Sequence, residues 1–190
     1  MADAWTALAA VDRSMFVADD TLDAVDVDAP LPLPCGQTTS QPSLIALMVD
    51  AMQVSAADRV LEVGTGYGYQ AAVLGRLCAE VWSVERHAEL AERARANLAR
   101  AGVANVHVVT GDGTRGVPEH APYDAIVVAA RAADVPEPLV DQLRIGGRLV
   151  LPLVVDGEER CVVVVKGPDG TLRTADDLGP VRFVPLIADP

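Results

Sequence analysis

The sequence predicts a doubly wound α/β fold: a mostly parallel sheet with helices on both faces and an antiparallel edge at its C-terminal end. Helical patterns alternate with short, almost continuously apolar strands such as residues 123–129. Strands that are apolar throughout are buried on both faces, as in parallel sheets. Two final strand patterns, at residues 160–166 and about 181–186, have only a turn at residues 167–170 between them. Because no helix intervenes, these two strands indicate an antiparallel edge.

The first part of the chain predicts a helical cap ahead of the sheet, within a single domain spanning residues 1–190. Residues 1–20 suggest short helical pieces, and the aspartates that follow are typical of a solvated acidic loop: Asp19, Asp20, Asp23, Asp26 and Asp28. Prolines make residues 29–34 extended and stiff. A helix follows, with apolar residues at helical spacing: Ile45, Met48, Val49 and Met52. We therefore expect residues 1–55 to form a cap on the sheet.

The remaining elements alternate between strand and helix. Their predicted bounds are a strand from residue 60, a helix at about 67–77, a strand ending at 85, a helix at 87–101, strands at 105–109 and 123–129, a helix at 136–143 and a strand at 148–154. In open sheets of this kind, ligands bind beyond the carboxyl ends of the strands. Residues 62–68, Glu85, Asp112 and residues 129–131 all lie at that edge.

The most informative segment is a glycine-rich turn between the first strand and its helix. Gly64, Gly66 and Gly68 are evenly spaced, with Glu62 two residues before the first of them. Glycine allows positive φ and close approach of a ligand to the backbone. Amides at the start of the helix can donate hydrogen bonds to a bound ligand. Glu85, at the end of the next strand, supplies a carboxylate for ribose hydroxyls. The third glycine is misplaced for the dinucleotide fingerprint, which disfavours a nicotinamide cofactor.

Composition excludes several function classes. The net charge of −12 argues against non-specific nucleic-acid binding, which needs a basic face. The three cysteines are far apart, so we expect neither a disulfide framework nor a metal site. The N-terminus lacks a basic segment followed by an apolar run, and no apolar run approaches the ~20 residues of a membrane span. We expect a cytoplasmic monomer without nucleic-acid or membrane partners.

Two sequence signatures resemble one known family. The glycine turn and its two glutamates resemble the S-adenosylmethionine site of class I methyltransferases, which have a Rossmann-like fold. The more specific segment is residues 31–42, Leu-Pro-Leu-Pro-Cys-Gly-Gln-Thr-Thr-Ser-Gln-Pro, which resembles the segment before the first strand of protein-L-isoaspartate O-methyltransferases. Further similar segments extend along nearly the whole chain, at residues 60–74, 83–86, 111–113, 122–127, 136–152 and 181–186.

The resemblance implies a repair enzyme whose cofactor is S-adenosyl-L-methionine. Such enzymes methylate the α-carboxylate of L-isoaspartyl residues in damaged proteins and peptides. The methyl ester then collapses to a succinimide, which gives the normal aspartyl linkage another chance. The implied partners are thus isoaspartyl-containing proteins or peptides.

The resemblance also implies the site residues. Ser40 stands at the family's active-site serine, with Thr38 and Thr39 beside it. The implied cofactor-binding residues are Gln37, Glu62, Gly64, Thr65, Gly66, Gly68, Tyr69, Gln70, Glu85, Arg86, Asp112 and Gly113. Thr65 and Gly66 would contact the methionine part, Glu85 the ribose, and Asp112 with Gly113 the adenine. Residues 184–186 would border the peptide cleft.

Several alternatives remain open from the residues alone. Ser40 could instead cap the following helix, although Pro42 at its first position would make Gln41 the cap. Pro34, Asp26 and Arg131 depart from the family pattern on the substrate side, and Arg131 is either a carboxylate clamp or a solvent-facing loop residue. These departures leave open a carboxylate O-methyltransferase for a specific peptide or small metabolite. A non-catalytic S-adenosylmethionine-binding module is a further alternative.

Overall fold

The computed structural model describes residues 3–189, so residues 1, 2 and 190 of the predicted domain lie outside it. Its strands are β1 (Pro32–Leu33), β2 (Gln37–Thr38), β3 (Arg59–Val63), β4 (Glu80–Glu85), β5 (Val106–Thr110), β6 (Tyr123–Val128), β7 (Leu143–Val155), β8 (Glu158–Lys166) and β9 (Leu172–Pro180). Its α-helices are α1 (Ala4–Ala9), α2 (Pro42–Ala51), α3 (Tyr69–Leu74), α4 (Ala88–Arg100) and α5 (Glu137–Gln142).

The main sheet has the strand order β5-β4-β3-β6-β7-β8-β9. The first five strands in this order pair in parallel, whereas β8 pairs antiparallel with both β7 and β9. The order reverses at β3, the strand that leads into the glycine turn, because β4 lies on one side of it and β6 on the other. The predicted doubly wound sheet with an antiparallel C-terminal edge is therefore confirmed.

Two apolar clusters cover the two faces of the sheet. Along β6, Ala125 and Val127 belong to one cluster, while Ile126 and Val128 belong to the other. Successive strand residues point to opposite faces, so the alternation shows that both faces of β6 are buried. This burial explains why the central strands are apolar at nearly every position.

The helix after the glycine turn is shorter than predicted, spanning Tyr69–Leu74 instead of about 67–77. Gly68 has a φ of 94°, which is left-handed and cannot begin a right-handed helix, so helical geometry starts one residue later. At the other end, the Asn105 side-chain amide donates to the carbonyls of Gly75 and Cys78 at 2.9 and 3.1 Å. A side chain from the neighbouring loop therefore stabilises the end of the helix, which local sequence does not reveal.

The last predicted strand was wrong in position. The structure places β9 at Leu172–Pro180, and residues 181–186 form only an isolated bridge between Arg131 and Pro185. The strand β9 is mostly exposed and polar because it lies at the edge of the sheet, where one side faces solvent. The apolar residues 181–186 suggested a strand, but they cross instead towards the carboxyl end of β6.

A buried arginine organises the cap. Arg13 donates to the carbonyls of Val25, Val27 and Ala29 at 2.7–2.9 Å. These bonds hold the loop that leads into the small antiparallel hairpin of β1 and β2. Burial lowers the pKa of Arg13, but three carbonyl acceptors compensate the buried guanidinium.

The start of α2 is capped from the acidic loop. Gln41 is the N-cap residue and Pro42 opens the helix, so the Ser40 side chain does not cap it. Asp28 instead accepts hydrogen bonds from the Ser43 amide and the Gln41 side chain at 2.9 Å each. These hydrogen bonds lower the pKa of Asp28, with the Ser43 amide as the main cause. This aspartate therefore has a specific contact that the sequence-based prediction of a solvated loop missed.

Candidate active site

The glycine turn forms the floor of a pocket at the carboxyl edge of the sheet. Gly64, Gly66 and Gly68 all have positive φ, at 95°, 55° and 94°. A Cβ on Gly66 would lie 3.3 Å from Cδ1 of Leu33, which belongs to β1 of the cap. The turn therefore needs glycine at this position for its conformation and for its close approach to the cap.

Glu85 connects the glycine turn to the start of α4. Its carboxylate accepts hydrogen bonds from the Gly66 amide at 2.9 Å and the His87 amide at 3.0 Å. The side chain is nearly buried and lines the pocket. A carboxylate held by two backbone amides in a pocket wall is suited to accept hydrogen bonds from hydroxyl groups of a ligand.

Glu62 lies behind the pocket wall. The Thr65 and Ser83 hydroxyls are hydrogen-bonded, and Ser83 donates to Glu62. Burial raises the pKa of Glu62 to about 8, and the neighbouring Glu85 adds to this shift against the opposing Ser83 hydrogen bond. The other carboxylate oxygen of Glu62 has no hydrogen-bond partner among the described residues. The arrangement supports the turn through Thr65 and gives Glu62 no direct access to the pocket.

Asp112 and Arg86 both contact the end of the chain. The carboxylate of Asp112 accepts from the amides of Thr114 at 2.8 Å and Asp189 at 3.1 Å. Burial raises the pKa of Asp112, but these bonds and the Thr114 hydroxyl outweigh it and place the pKa below its ordinary value. Arg86 pairs with the Asp189 carboxylate at 3.2 Å. Asp112, which the family resemblance assigns to the adenine, and Arg86, which it assigns to the cofactor, are thus joined by a C-terminal segment.

That segment, residues 183–189, is here called the C-terminal strap. Its residues 184–187 line the pocket, as expected for residues 184–186. The Arg131 amide donates to the Val184 carbonyl at 2.8 Å, and the Leu186 amide donates to the Arg131 carbonyl at 2.7 Å. The Arg131 side chain pairs with Glu159 at 3.2 Å and does not line the pocket. Arg131 therefore anchors the strap, which is neither of the two roles considered from the sequence.

The opposite wall of the pocket is the loop that includes β2. The Thr39 hydroxyl accepts from the Leu31 amide at 3.0 Å, which holds the loop against the segment before β1. Ser40 lines the pocket, and its side chain makes no hydrogen bond to any residue between 3 and 189. Its hydroxyl is therefore available to a ligand. The Gln37 side-chain amide donates to the Cys35 carbonyl at 3.0 Å.

Most of the predicted site residues meet in this one pocket. Those that line it are Gln37, Thr38, Thr39, Ser40, Gly64, Thr65, Gly66, Tyr69, Gln70, Glu85, Arg86 and Gly113. Glu62, Gly68 and Asp112 do not line it. Glu62 supports the turn from behind, Gly68 packs towards Leu98 on α4, and the Asp112 carboxylate turns to Thr114 and the strap.

The Gln70 side chain carries a buried hydrogen-bond donor that faces the pocket without an acceptor among the described residues. Its side chain is 6% exposed and lines the pocket, yet its amide nitrogen has no hydrogen-bond partner among the described residues. A buried donor without an acceptor is costly, so a ligand that supplies an acceptor here would be stabilised.

Sequence reasoning missed several residues of the pocket wall, including Phe16, Leu33, Tyr67, His87 and Ile187. Phe16 belongs to a short turn in the cap, and no local pattern distinguishes it from a core residue. His87 carried one usable signal, its position two residues after Glu85. Its amide donates to that carboxylate, so its role comes from the backbone and not from the imidazole.

The described part of the chain contains no group of three or more His, Cys, Asp or Glu side chains arranged to hold a metal ion. None of its helices has the length and apolar character needed to cross a membrane.

Comparison with known proteins identifies the family of the chain. The family model described as protein-L-isoaspartate(D-aspartate) O-methyltransferase matches residues 2–189. A protein-L-isoaspartate O-methyltransferase of Methanoculleus marisnigri is 50% identical over 95% of this chain and 81% of that protein. The Paracoccus denitrificans protein of the same name is 46% identical over 95% of this chain and 83% of its own length.

Solved structures give the same fold. A protein-L-isoaspartate O-methyltransferase structure matches with a TM-score of 0.87 and 33% identity, covering 96% of this chain and 60% of that chain. A Plasmodium falciparum structure in complex with S-adenosyl-L-homocysteine has a TM-score of 0.84 at 23% identity, covering 100% of this chain and 92% of that one, which supports the fold. The fold is that of class I methyltransferases. On the match of residues 2–189 and on these relatives, the chain belongs to the protein-L-isoaspartate(D-aspartate) O-methyltransferase family.

Proposed function

We propose that this chain methylates the α-carboxylate of L-isoaspartyl residues in proteins and peptides, with S-adenosyl-L-methionine as the methyl donor. One observation carries the proposal: a single pocket joins the glycine turn and Glu85 to the loop at residues 37–40. The first part suits the cofactor and the second suits the acceptor. Family membership supports both the reaction and the cofactor.

The residues of the pocket fit the cofactor by their chemistry. The Glu85 carboxylate would accept from ribose hydroxyls, the Gln70 amide would donate to a polar group, and the glycine turn would lie along the methionine part. For Glu62, Gly68 and Asp112 we propose indirect roles, because their side chains or backbone support the walls without lining the pocket. Gly113 lines the wall where the family resemblance places the adenine, and Arg86, which it assigns to the cofactor, also lines the pocket.

When bound, S-adenosylmethionine supplies a methyl group on a positively charged sulfur, and this carbon is open to in-line attack. The acceptor carboxylate is already ionised at neutral pH, so the chain need not supply a strong base. Its residues must instead hold the carboxylate oxygen in line and exclude water. We assign this orienting role to the Ser40 hydroxyl, which is free to donate a hydrogen bond. Thr38 completes the wall, and Thr39 fixes the loop.

The product is a methyl ester, whose methoxy group leaves far more readily than an oxygen of a free carboxylate. The backbone amide that follows can then displace methanol and close the succinimide without the enzyme. Hydrolysis of this ring returns part of the material to the normal aspartyl linkage. The chain therefore needs only to select the isoaspartyl carboxylate and transfer the methyl group.

The test is a paired methylation assay with purified protein and labelled S-adenosylmethionine. One peptide carries an L-isoaspartyl residue, and its twin of the same sequence carries a normal aspartyl residue. We expect label in the first peptide only, with release of methanol as the ester collapses. Equal labelling of both peptides, or of neither, would contradict the repair function.

We further propose that residues 1–55 act as a cap within one domain, that the protein is a monomer, and that it works in the cytoplasm. The cap supplies Leu33 and residues 37–40 to the pocket, which supports its role as carrier of the acceptor loop. The charge of −12 supports partners other than nucleic acid. Light scattering after size-exclusion chromatography tests the monomer, and cell fractionation tests the location. A dimer mass or a membrane fraction would overturn the respective proposal.

A further inference from the structure

A second depression, here called the flanking groove, opens beside the active site. Helices α1 and α2 form one side of it, through Trp5, Leu44 and Leu47. Residues 178–183 form the other side, with Leu178, Pro180 and Phe183. Residues 38–40 line both the groove and the pocket, so the two depressions meet at Ser40.

Apolar side chains line much of the groove, beside the polar residues 38–41 and Ser43. Trp5 is 52% exposed and Leu47 is 39% exposed, although both are large hydrophobic side chains. Exposed apolar residues that line a continuous groove are typical of a binding site, whereas scattered ones need no explanation. The groove lies next to the acceptor loop at residues 37–40, so its exposed apolar residues are positioned to contact the acceptor.

Charges at the rim add a second feature. Arg182 lines the groove, is exposed, and makes no ion pair or side-chain hydrogen bond within residues 3–189. Two carboxylates lie near the groove, but Asp28 is occupied by Ser43 and Gln41, and Glu159 by Arg131. A free cation at this rim is therefore available to an acidic group, in a chain whose net charge is −12.

We propose that the flanking groove binds the polypeptide segment next to the isoaspartyl residue and selects for a large apolar side chain, with an acidic side chain directed to Arg182. The proposal rests on the proposed function, because it assumes that the acceptor carboxylate is held at Ser40. A polypeptide acceptor continues beyond its reacting residue and must leave the pocket by some path. The groove is continuous with the acceptor end of the pocket and provides that path.

The first test compares isoaspartyl peptides that differ at one flanking position. Leucine, serine or glutamate is placed in turn at each position around the isoaspartyl residue, and kcat/KM for methylation is measured. At one position we expect kcat/KM to be about tenfold higher for the leucine peptide than for the serine peptide, as partial burial of a leucine side chain implies. A separate position is expected to favour glutamate over serine by about threefold, as for a partly exposed ion pair.

Matched variants locate the preference. Leu47→Ser should bring kcat/KM for the leucine peptide down to that for the serine peptide, whereas Ile145→Ser, which changes an exposed apolar residue outside the groove, should keep the leucine peptide ahead. Arg182→Glu should reverse the preference for glutamate. Its control is Arg173→Glu on β9, an exposed arginine that does not line the groove.

A binding measurement gives a readout independent of turnover. The fluorescence of Trp5 should change when an isoaspartyl peptide without tryptophan binds in the presence of S-adenosylhomocysteine, and Trp5→Phe should remove this change. Equal kcat/KM for all isoaspartyl peptides, or a preference that Leu47→Ser leaves intact, would overturn the groove proposal and leave the proposed function standing. If no isoaspartyl peptide is methylated, the proposed function fails and the groove proposal fails with it.

Discussion

At the scale of single residues, three carboxylates near one edge of the sheet have different surroundings and therefore different roles. Glu85 is held by two backbone amides and faces the pocket. Glu62 is fully buried behind it with one hydroxyl partner. Asp112 accepts several hydrogen bonds and contacts the C-terminal strap. The residue type is nearly the same in all three cases, so burial and hydrogen bonding decide what each can do.

Replacing Ser40 with alanine should lower kcat by about 10- to 100-fold, because the acceptor carboxylate loses the hydroxyl that orients it. Cofactor affinity, measured by calorimetry, should remain unchanged. The free energy of unfolding should also stay unchanged, since the Ser40 hydroxyl has no partner in the described part of the chain. A wild-type kcat would rule out the orienting role.

The neighbouring threonine provides the contrast to Ser40. Thr39→Val should lower the free energy of unfolding by about 1–2 kcal/mol, because the buried Leu31 amide loses its acceptor. Urea denaturation measures this difference. Equal stability of the Thr39→Val and Ser40→Ala variants would contradict the division of roles between the two hydroxyls.

The raised pKa of Glu62 predicts that stability depends on pH. The folded state favours the protonated form, with a pKa of about 8 against 4.5 for the ordinary carboxyl. The contribution of Glu62 to the free energy of unfolding is therefore fully present below about pH 4.5 and is lost as pH rises through about 8. Between those limits the free energy of unfolding of the cofactor-free protein should fall by about 1–4 kcal/mol from this group.

Glu62→Gln should remove that fall, since glutamine keeps the shape of the protonated acid and does not ionise. Urea denaturation from pH 5 to 8 measures the slope. Glu92→Gln, on the exposed side of α4, is the control and should keep the wild-type slope. A slope that is the same in all three proteins would show that Glu62 does not titrate in this range.

At the scale of elements, the loop after β5 is positioned by its packing against β3. A Cβ on Gly113 would lie 2.5 Å from Cγ1 of Val63, while a Cβ on Gly111 would lie no closer than 3.9 Å to Cγ2 of Val84. Neither glycine has a positive φ, so the difference between them is one of space. The close approach at Gly113 brings the loop of one strand to the pocket formed by another.

The pair Gly113→Ala and Gly111→Ala tests this packing. Gly113→Ala should lower the free energy of unfolding by about 1–3 kcal/mol, as expected for overpacking, and should weaken cofactor binding because the wall moves. Gly111→Ala should be close to wild type in both properties. Denaturation and calorimetry give the two readouts, and similar behaviour of both variants would contradict the packing argument.

At the scale of the whole molecule, the pocket joins parts that are distant in the chain. The cap, the glycine turn, the loop after β5 and the C-terminal strap all contribute to its wall. A ligand bound there contacts all of them at once and stabilises the folded state in proportion to its affinity.

S-adenosylhomocysteine at about 100 times its Kd should therefore stabilise the protein by about 2.7 kcal/mol, or raise the Tm by about 5–10 °C. Glu85→Ala should reduce this shift at the same ligand concentration, because the ribose loses its acceptor and the Gly66 amide of the turn loses its own. Glu92→Ala is the control and should keep the full shift. Differential scanning fluorimetry measures all three proteins, and an undiminished shift in Glu85→Ala would contradict the ribose role.

The sequence by itself determined the fold class and most of the floor of the site. Periodicity identified the buried strands, since both of their faces are covered, and glycine spacing located the turn, since positive φ restricts the residue type. The family resemblance added the loop at residues 37–40. These signals are local, so each can be detected in a short stretch of chain.

The tertiary structure alone decided which parts meet. The buried Arg13, the pocket residue Phe16 and the Arg131–Glu159 pair depend on contacts between segments far apart in the chain. The position of the last strand was predicted wrongly because an edge strand needs few apolar residues, so β9 has no strong apolar pattern. The apolar strap after it lines the pocket instead of joining the sheet. The glycine turn could be found from its own residues, but the loop that faces it across the pocket is set by packing between the cap and the sheet.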